Sequence, residues 1–455
     1  MSEKHTYDLT RGAIVPTLMR FSLPFLGSSL LQFLYGVVDM VVVGRFSDSA
    51  GIAAVNNSSQ VMQLVTSLIC GIATGGTVLI GQYIGARRQR EAGRTVGNMI
   101  LLFALLAALI TGVLLTLGNS MVALMQVPEE AVAPARAYLR ICGAGTVFIV
   151  GYNVVSSILR GIGDSKRPMY FIAISCLLNI FGDLLLVGGF RMGAAGAAVA
   201  TVAAQTVSFL CALFTLCRSG LPFPVELKVQ PSKLLKVLQL GVPVALQDMM
   251  ATLSFIIITV VVNLIGLDQS AAVGVVERLI GFAMVISVAF MSALAVFAAQ
   301  NMGAGQRERA QRGLWLSIAV SLGLTLFLFG AMELIPGWLM RIFTTDPAVI
   351  HHGVLYLRTY SIDTLMVCLV FCMNGFFSGC GHTGFTMFNC LFSTFVVRVP
   401  LVIWFASWPG VTMLQIGIAA PVASAVQIVI QLLYYRTGRW SRSILTPAGE
   451  RGSLS

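Results

Sequence analysis

Long apolar stretches, each able to span a lipid bilayer, dominate this chain. About 20 mostly apolar residues cross the hydrocarbon core as a helix, and inside that core only helices and closed barrels satisfy every backbone hydrogen bond. The chain contains twelve such stretches: 21–44, 57–83, 95–118, 137–159, 169–189, 193–217, 241–266, 271–298, 313–335, 354–379, 384–408 and 414–435. The sequence therefore predicts an all-α integral membrane protein with twelve transmembrane helices.

Composition and charge agree with a membrane protein. Only 10% of the residues are charged, whereas water-soluble domains carry roughly 25%. Most lysines and arginines fall in connections on one side, which predicts a multi-pass protein with both termini in the cytoplasm. This topology accounts for the net charge of +11. Because no continuous basic face is present, we expect membrane lipid as a partner and no nucleic acid.

Neither the cysteines nor the histidines form a catalytic or metal-binding pattern. The nine cysteines are odd in number, lie in or beside apolar stretches, and show no paired ligand spacing. The histidines all fall at helix ends or in connections: His5, His351, His352 and His382. A membrane-embedded enzyme needs a nucleophile with a base, or a metal cluster. We therefore expect no enzyme activity and no cofactor.

The two halves of the chain repeat each other at an offset of 218 residues. The matches at this offset are Gln82 with Gln300, Gly85 with Gly303, Tyr138 with Tyr356, Arg140 with Arg358, Gly161 with Gly379, and Gly163 with Gly381. Each half holds six predicted helices, an even number, so both copies enter the membrane from the same side. This predicts two six-helix lobes related by a parallel pseudo-twofold repeat. The predicted boundaries are an N-terminal lobe over 1–217, a linker over 218–236, a C-terminal lobe over 237–436 and a cytoplasmic tail over 437–455.

Polar residues inside the predicted helices are candidates for function, because an ionisable side chain there costs about 2.5 to 3.5 kcal/mol. The acids Asp39 and Asp183 lie at similar depths in the first and fifth helices, together with Thr201 in the sixth. Two carboxylates with oxygen neighbours suit a hard cation such as Na+, or a shared proton. The predicted cation site comprises Asp39, Asn179, Asp183 and Thr201, with Tyr35, Gln32, Pro24 and Asn153 in supporting positions.

The repeat provides a control for this site. At the offset of 218, with one insertion near Trp408, the four core residues fall on or near apolar positions: Ile257, Val397, Leu401 and Ala425. A site confined to one lobe is typical of a specialised coupling centre. The alternative is that Asp39 and Asp183 are solvated residues near helix ends.

The second half has its own ionisable residues inside helices. Asp248, Glu277, Arg278 and Asp363 are candidates for a second-lobe site. Glu277 and Arg278 could form a structural ion pair or take part in substrate binding. Arg398, also inside a predicted helix, could neutralise one of these acids.

Several motifs occur in order over nearly the whole chain: Pro24 with Val38-Asp39, Gly81-Gln82 with Gly85-Ala86, Leu159-Arg160-Gly161-x-Gly163-Asp164, and Gly193-x-x-Gly196-Ala197-Ala198-x-Ala200-Thr201. Together they resemble the motifs of the multidrug and toxic compound extrusion (MATE) family. In that family, the positions matching Asp39, Asn179, Asp183 and Thr201 form the cation site of the N-terminal lobe. Some members also carry a glutamate eight residues after the proline of helix seven. That place here is Ala251, so the resemblance supports no second-lobe site.

The resemblance implies a bacterial cytoplasmic-membrane exporter of small, organic, cationic compounds, driven by antiport of Na+ or H+ and acting as a monomer. A prospective apolar wall for such compounds comprises Met62, Phe282, Met284, Met291, Phe371 and Met373. The alternative is that these side chains face lipid or pack in the protein core. The competing function is a flippase for a lipid-linked saccharide or another lipid. A flippase should have a more strongly basic cleft for a pyrophosphate, and only Arg278 and Arg398 lie within the predicted helices.

Overall fold

The computed structural model describes residues 8–441 and residue 445, so most of the predicted tail lies outside the described residues. Within them, twelve helices are long and apolar enough to cross a membrane, which confirms the prediction. They are α1 Ile14–Phe46, α2 Ser49–Gly85, α3 Gln89–Leu124, α4 Glu129–Ile162, α5 Lys166–Gly189, α6 Gly193–Ser219, α7 Pro231–Asn263, α8 Leu267–Gly303, α9 Arg307–Leu334, α10 Pro347–Gly379, α11 Thr383–Ala406 and α12 Met413–Arg436. A short helix, Pro336–Arg341, lies between α9 and α10.

Local sequence signals explain where several helices begin and end. Asp48 caps α2 by accepting a hydrogen bond from the Gly51 amide at 2.8 Å, as an N-cap aspartate commonly does. The chain turns after α4 at Gly163, with φ of 97°, and after α10 at Gly381, with φ of 92°. Glycine adopts this left-handed conformation without a steric penalty. These two glycines are repeat partners, so the same turn occurs in both halves.

The described chain divides into two compact units. Unit 1 contains Asp8 and Gly27–Ala245, whereas unit 2 contains Leu9–Leu26 and the described residues from Leu246 onward. The boundaries therefore fall inside α1 and α7. Each boundary follows a proline, Pro24 or Pro243, by two residues. Proline removes a backbone hydrogen bond from a helix.

Each unit has the same internal pattern of helix packing. In unit 1, α4 packs against α2, α3 and α6, and α5 packs against α6. In unit 2, α10 packs against α8, α9 and α12, which matches the parallel repeat. Small residues allow the close approach: a Cβ atom at Gly375 of α10 would lie 2.3 Å from the Met291 carbonyl oxygen of α8.

The connection before α7 is bound to unit 1. Asn98 of α3 donates to the Lys228 carbonyl oxygen at 3.0 Å and accepts from the Gln230 amide at 2.7 Å. Glu226 accepts hydrogen bonds from Arg90 and Arg94 at 3.2 and 2.9 Å. The non-helical part of the connection runs from 220 to 230, because α6 ends at Ser219 and α7 begins at Pro231.

The segment before α1 makes an analogous attachment within unit 2. The Leu9 amide donates to Gln300 Oε1, and Asn301 donates to the Leu9 carbonyl oxygen, both at 3.3 Å. Arg309 of α9 donates to the carbonyl oxygens of Gly12 and Arg11 at 2.7 and 2.9 Å. Helices α1 and α7 contain the unit boundaries, and the segment that precedes each of them is therefore held by hydrogen bonds.

Candidate functional site

Helix α5 carries Asn179 and Asp183 into the interior of unit 1. Both side chains are buried, with 1% and 0% of their surface exposed. The regular α-helix ends at Asp183 and continues as π-helical turns over Leu184–Gly189. Such turns leave the regular hydrogen-bond pattern and often occur at functional sites. Nothing in the pattern of apolar residues predicts this irregularity beside Asp183.

The Asn179 amide links α5 to α6. In the orientation that gives both of its polar atoms a partner, its nitrogen donates to Asp183 Oδ2 at 2.9 Å. Its oxygen then accepts from the Thr201 hydroxyl and backbone amide, both at 3.3 Å. Because each bond has a defined donor and acceptor, this arrangement fixes the direction in which the Asp183 carboxyl group points.

Asp39 of α1 completes the group from the unit 1 part of that helix. Its carboxyl group interacts electrostatically with the Asp183 carboxyl group. Oδ1 of each acid is buried without a hydrogen-bond partner among the described residues. Two facing carboxylates repel unless a proton or another cation lies between them. We call Asp39, Asn179, Asp183 and Thr201 the acid-pair group.

Aromatic and thiol side chains surround the acid-pair group. The Tyr35 hydroxyl, one turn before Asp39, lies 3.4 Å from Thr201 Oγ1. Tyr138 and Cys142 of α4 are buried and interact electrostatically with Asp39. Neither α4 residue is among the predicted site residues, and Tyr138 is marked in the sequence only by its match with Tyr356 in the second half.

The structure does not bring all the predicted supporting residues together. Gln32 lies exposed on α1, and Pro24 is buried in the part of α1 that belongs to unit 2. Asn153 of α4 donates to the Ile149 carbonyl oxygen at 2.8 Å and accepts from Cys70 at 3.3 Å. It lies eleven residues beyond Cys142, or about 16 Å along the helix.

The ionisable residues predicted for the second lobe occupy unit 2. Asp363 is buried and Asp248 half-buried. Oε1 of Glu277 is buried without a hydrogen-bond partner among the described residues. The neighbouring Arg278 is exposed, because consecutive side chains on a helix point about 100° apart. Asp363 Oδ1 accepts a hydrogen bond from the Ser424 hydroxyl at 2.5 Å.

The donor set of the acid-pair group suits one small, hard cation. It offers carboxyl, amide and hydroxyl oxygens, which hard cations prefer. Across the described part of the chain, no three histidine, cysteine or acidic side chains cluster as a metal site. The acid-pair group has two acids and therefore could hold a proton or a weakly bound monovalent ion.

The chain matches a model of a known protein family. The family model described as MatE matches twice, over residues 24–185 and 243–404. These two matches lie 219 residues apart, within one residue of the offset seen in the sequence. The chain is 28% identical over 435 residues to the "Probable multidrug resistance protein YpnP" of Bacillus subtilis, covering 95% of this chain and 97% of the relative.

Further relatives and solved structures agree. The "Probable multidrug resistance protein NorM" of Thermotoga maritima is 26% identical over 450 residues, covering 94% of each chain. A solved structure titled "Outward-facing conformation of a multidrug resistance MATE family transporter of the MOP superfamily" matches with a TM-score of 0.91 at 22% identity, covering 96% of this chain and 98% of that chain. The repeated match over most of its length shows that this multi-pass membrane protein belongs to the MatE family, the MATE transporters that its motifs resemble.

Proposed function

We propose that this chain exports small organic compounds, mainly cationic ones, by antiport with Na+ or H+. The acid-pair group of unit 1 is the site where the coupling ion binds and leaves. The observation that carries this proposal is the pair of Asp39 and Asp183 carboxyl groups. They face each other within apolar helices, among oxygen atoms that can bind a cation. The relatives support drug export, because two are named probable multidrug resistance proteins.

The acid pair supplies a physical basis for coupling. With one proton or one Na+ between them, the two carboxyl groups attract the bound cation, and without it they repel each other. The group therefore has different preferred geometries with and without the ion. A ligand shifts a conformational equilibrium by its difference in affinity for the two states. One positive charge crossing a potential of 100 mV contributes about 2.3 kcal/mol.

Efflux from proteoliposomes tests this proposal. A fluorescent organic cation would be loaded inside, and a Na+ or H+ gradient would be imposed separately. Gradient-driven efflux is expected for the native chain and is expected to fall to the leak rate in both Asp39→Asn and Asp183→Asn. Asp268→Asn is the matched control, because it removes a carboxylate at the first turn of α8, outside the acid-pair group.

The outcomes separate the alternatives. Loss of efflux in both site variants, with the control unchanged, supports ion coupling at the acid-pair group. Normal gradient-driven efflux in both variants refutes that role. If the native chain moves no soluble dye but translocates a labelled lipid-linked saccharide between leaflets, the flippase hypothesis replaces the export proposal.

A further inference from the structure

Unit 2 contains a polar cluster centred on Arg398. This arginine is the last residue of the π-helical turns Ser393–Arg398 in α11. Its Nη2 atom donates to the Tyr360 hydroxyl at 2.7 Å, and its guanidinium carbon lies 4.6 Å from the centre of the Phe255 ring. A positive charge inside a transmembrane helix is costly unless negative groups or aromatic faces compensate it.

Two acids contribute compensating charge at longer range, without a direct ion pair to Arg398 among the described residues. Arg398 interacts electrostatically with Asp363 of α10 and Glu277 of α8. Asp363 keeps one hydrogen bond, from Ser424 of α12, whereas Glu277 Oε1 has no partner among the described residues. Asp248 of α7 and Arg398 both interact electrostatically with Cys390 of α11. Carboxyl, hydroxyl and aromatic groups thus surround a fixed guanidinium.

The repeat relates this cluster to the acid-pair group of unit 1. The offset of 218 pairs two positions on α4 and α10: Tyr138 with Tyr356, and Cys142 with Tyr360. In unit 1, the α4 pair interacts with Asp39. In unit 2, the α10 pair interacts with Arg398. Corresponding positions therefore interact with an acid in unit 1, and with an arginine and its two acids in unit 2.

The residues that form the acid pair have no acidic counterparts in unit 2. Asp39 corresponds to Ile257, and Asn179 corresponds to Val397, which directly precedes Arg398. The unit 2 acids come from other positions, with Asp363 falling on the partner of Gly145. Unit 2 thus has carboxylates near the counterpart of the acid-pair group, but the positive charge there comes from its own residue Arg398.

We propose that Arg398 is a tethered cation at the unit 2 counterpart of the acid-pair group, and that a neutral residue there would open Asp363 and Glu277 to a free Na+ ion or proton. The inference rests on the proposed function in one respect, namely that the acid-pair group binds a cation. It goes further by assigning unit 2 a latent cation site. Under this proposal ion exchange is confined to unit 1, because a covalently held charge cannot leave unit 2.

The test uses the purified full chain carrying Asp39→Asn and Asp183→Asn, so that unit 1 cannot respond. Infrared difference spectra would record carboxyl bands on adding Na+ at fixed pH and, separately, on acidification without Na+. Adding Arg398→Met to this background should create a carboxyl response to one of the two ions. Further addition of Asp363→Asn should remove most of the new response.

Matched variants make the result specific. Arg398→Lys keeps the charge and should give no new response, and neither should Arg278→Met, which removes an exposed arginine beside Glu277. Arg398→Gln retains a hydrogen-bond donor near Tyr360 and provides a second neutral variant if Arg398→Met fails to fold. A folded neutral variant that gives only the background spectrum overturns the inference, and so does an equal response from Arg398→Lys.

The outcome is independent of the proposed function's own test. If the native chain shows no ion response that depends on Asp39 and Asp183, the exchange role of unit 1 fails. The comparison at Arg398 still stands, because it is made in a chain that lacks both of those acids.

Discussion

The Asn179 side chain holds the other side chains of the acid-pair group in position. It is the residue that connects Asp183 on α5 with Thr201 on α6. Removing one partner of a buried hydrogen bond leaves the other unsatisfied, at a cost of about 1 to 3 kcal/mol. Asn179 is therefore a positioning residue for Asp183, and under the proposed function its oxygen is also available to the coupling ion.

Replacing Asn179 with alanine should weaken the ion dependence of efflux. We expect the Na+ or H+ concentration for half-maximal efflux to rise by roughly tenfold, because about 1.4 kcal/mol of ordering at Asp183 is lost. The measurement is efflux rate against ion concentration at saturating substrate. Asn153→Ala is the matched control, since Asn153 bonds to Cys70 and its own helix. Equal shifts in both variants would contradict the positioning role.

The sequence could predict the charged members of the site but not their whole environment. Asp39 and Asp183 stand out because acids are rare in lipid-spanning helices. Tyr138 and Cys142 give no such signal, because buried tyrosine and cysteine are common in apolar helices. Asn153 shows the opposite difficulty, because it is predicted as a supporting residue but does not lie at the site. An amide side chain in a helix can donate its hydrogen bond to a carbonyl oxygen of the preceding turn, as Asn153 does to the Ile149 carbonyl oxygen.

Helices and connections differ in how well they could be predicted. The length of each apolar stretch identified all twelve spans, since the bilayer sets that length. It could not predict their ends, because helices such as α3 continue through polar residues like Glu91 and Arg94 beyond the apolar stretch. The π-helical turns in α5 and α11 were also invisible, because one extra residue per turn leaves hydropathy unchanged.

The connection over 220–230 should be held less tightly against α3 when Glu226 loses its charge. Hydrogen bonds from Arg94 and Arg90 hold the pKa of the Glu226 carboxylate below its usual value. A lowered pKa in the folded state means that this attachment is complete above the unfolded-state pKa, about 4.3. It is lost as the pH falls through the lower, folded-state pKa.

Hydrogen exchange of the connection measures this attachment. In Glu226→Gln at neutral pH and low salt, amides over 220–230 should exchange a few-fold faster than in the native chain, and high salt should reduce the difference. Glu308→Gln is the control, because it removes an exposed acid paired with Arg312 at 3.8 Å on α9. An unchanged exchange rate in Glu226→Gln would mean that Asn98 alone holds the connection.

The internal repeat dominates the whole molecule and was readable from the sequence. Matching turns at Gly163 and Gly381 and matching helix contacts in each unit follow from it. The division into compact units inside α1 and α7 was not readable. Composition marks where helices stop, whereas a compact unit depends on which side chains touch. The repeat also shows what differs between the units: an acid pair in unit 1 and an arginine with its acids in unit 2.

We propose that Asp39 and Asp183 together bind one exchangeable cation. Infrared difference spectra of the purified native chain, recorded on Na+ addition and on acidification beside Asp39→Asn and Asp183→Asn, test this binding. We expect a carboxyl response in the native chain that disappears in each single variant, because neither acid retains its partner. A native response that survives unchanged in both variants would rule out binding by the acid pair.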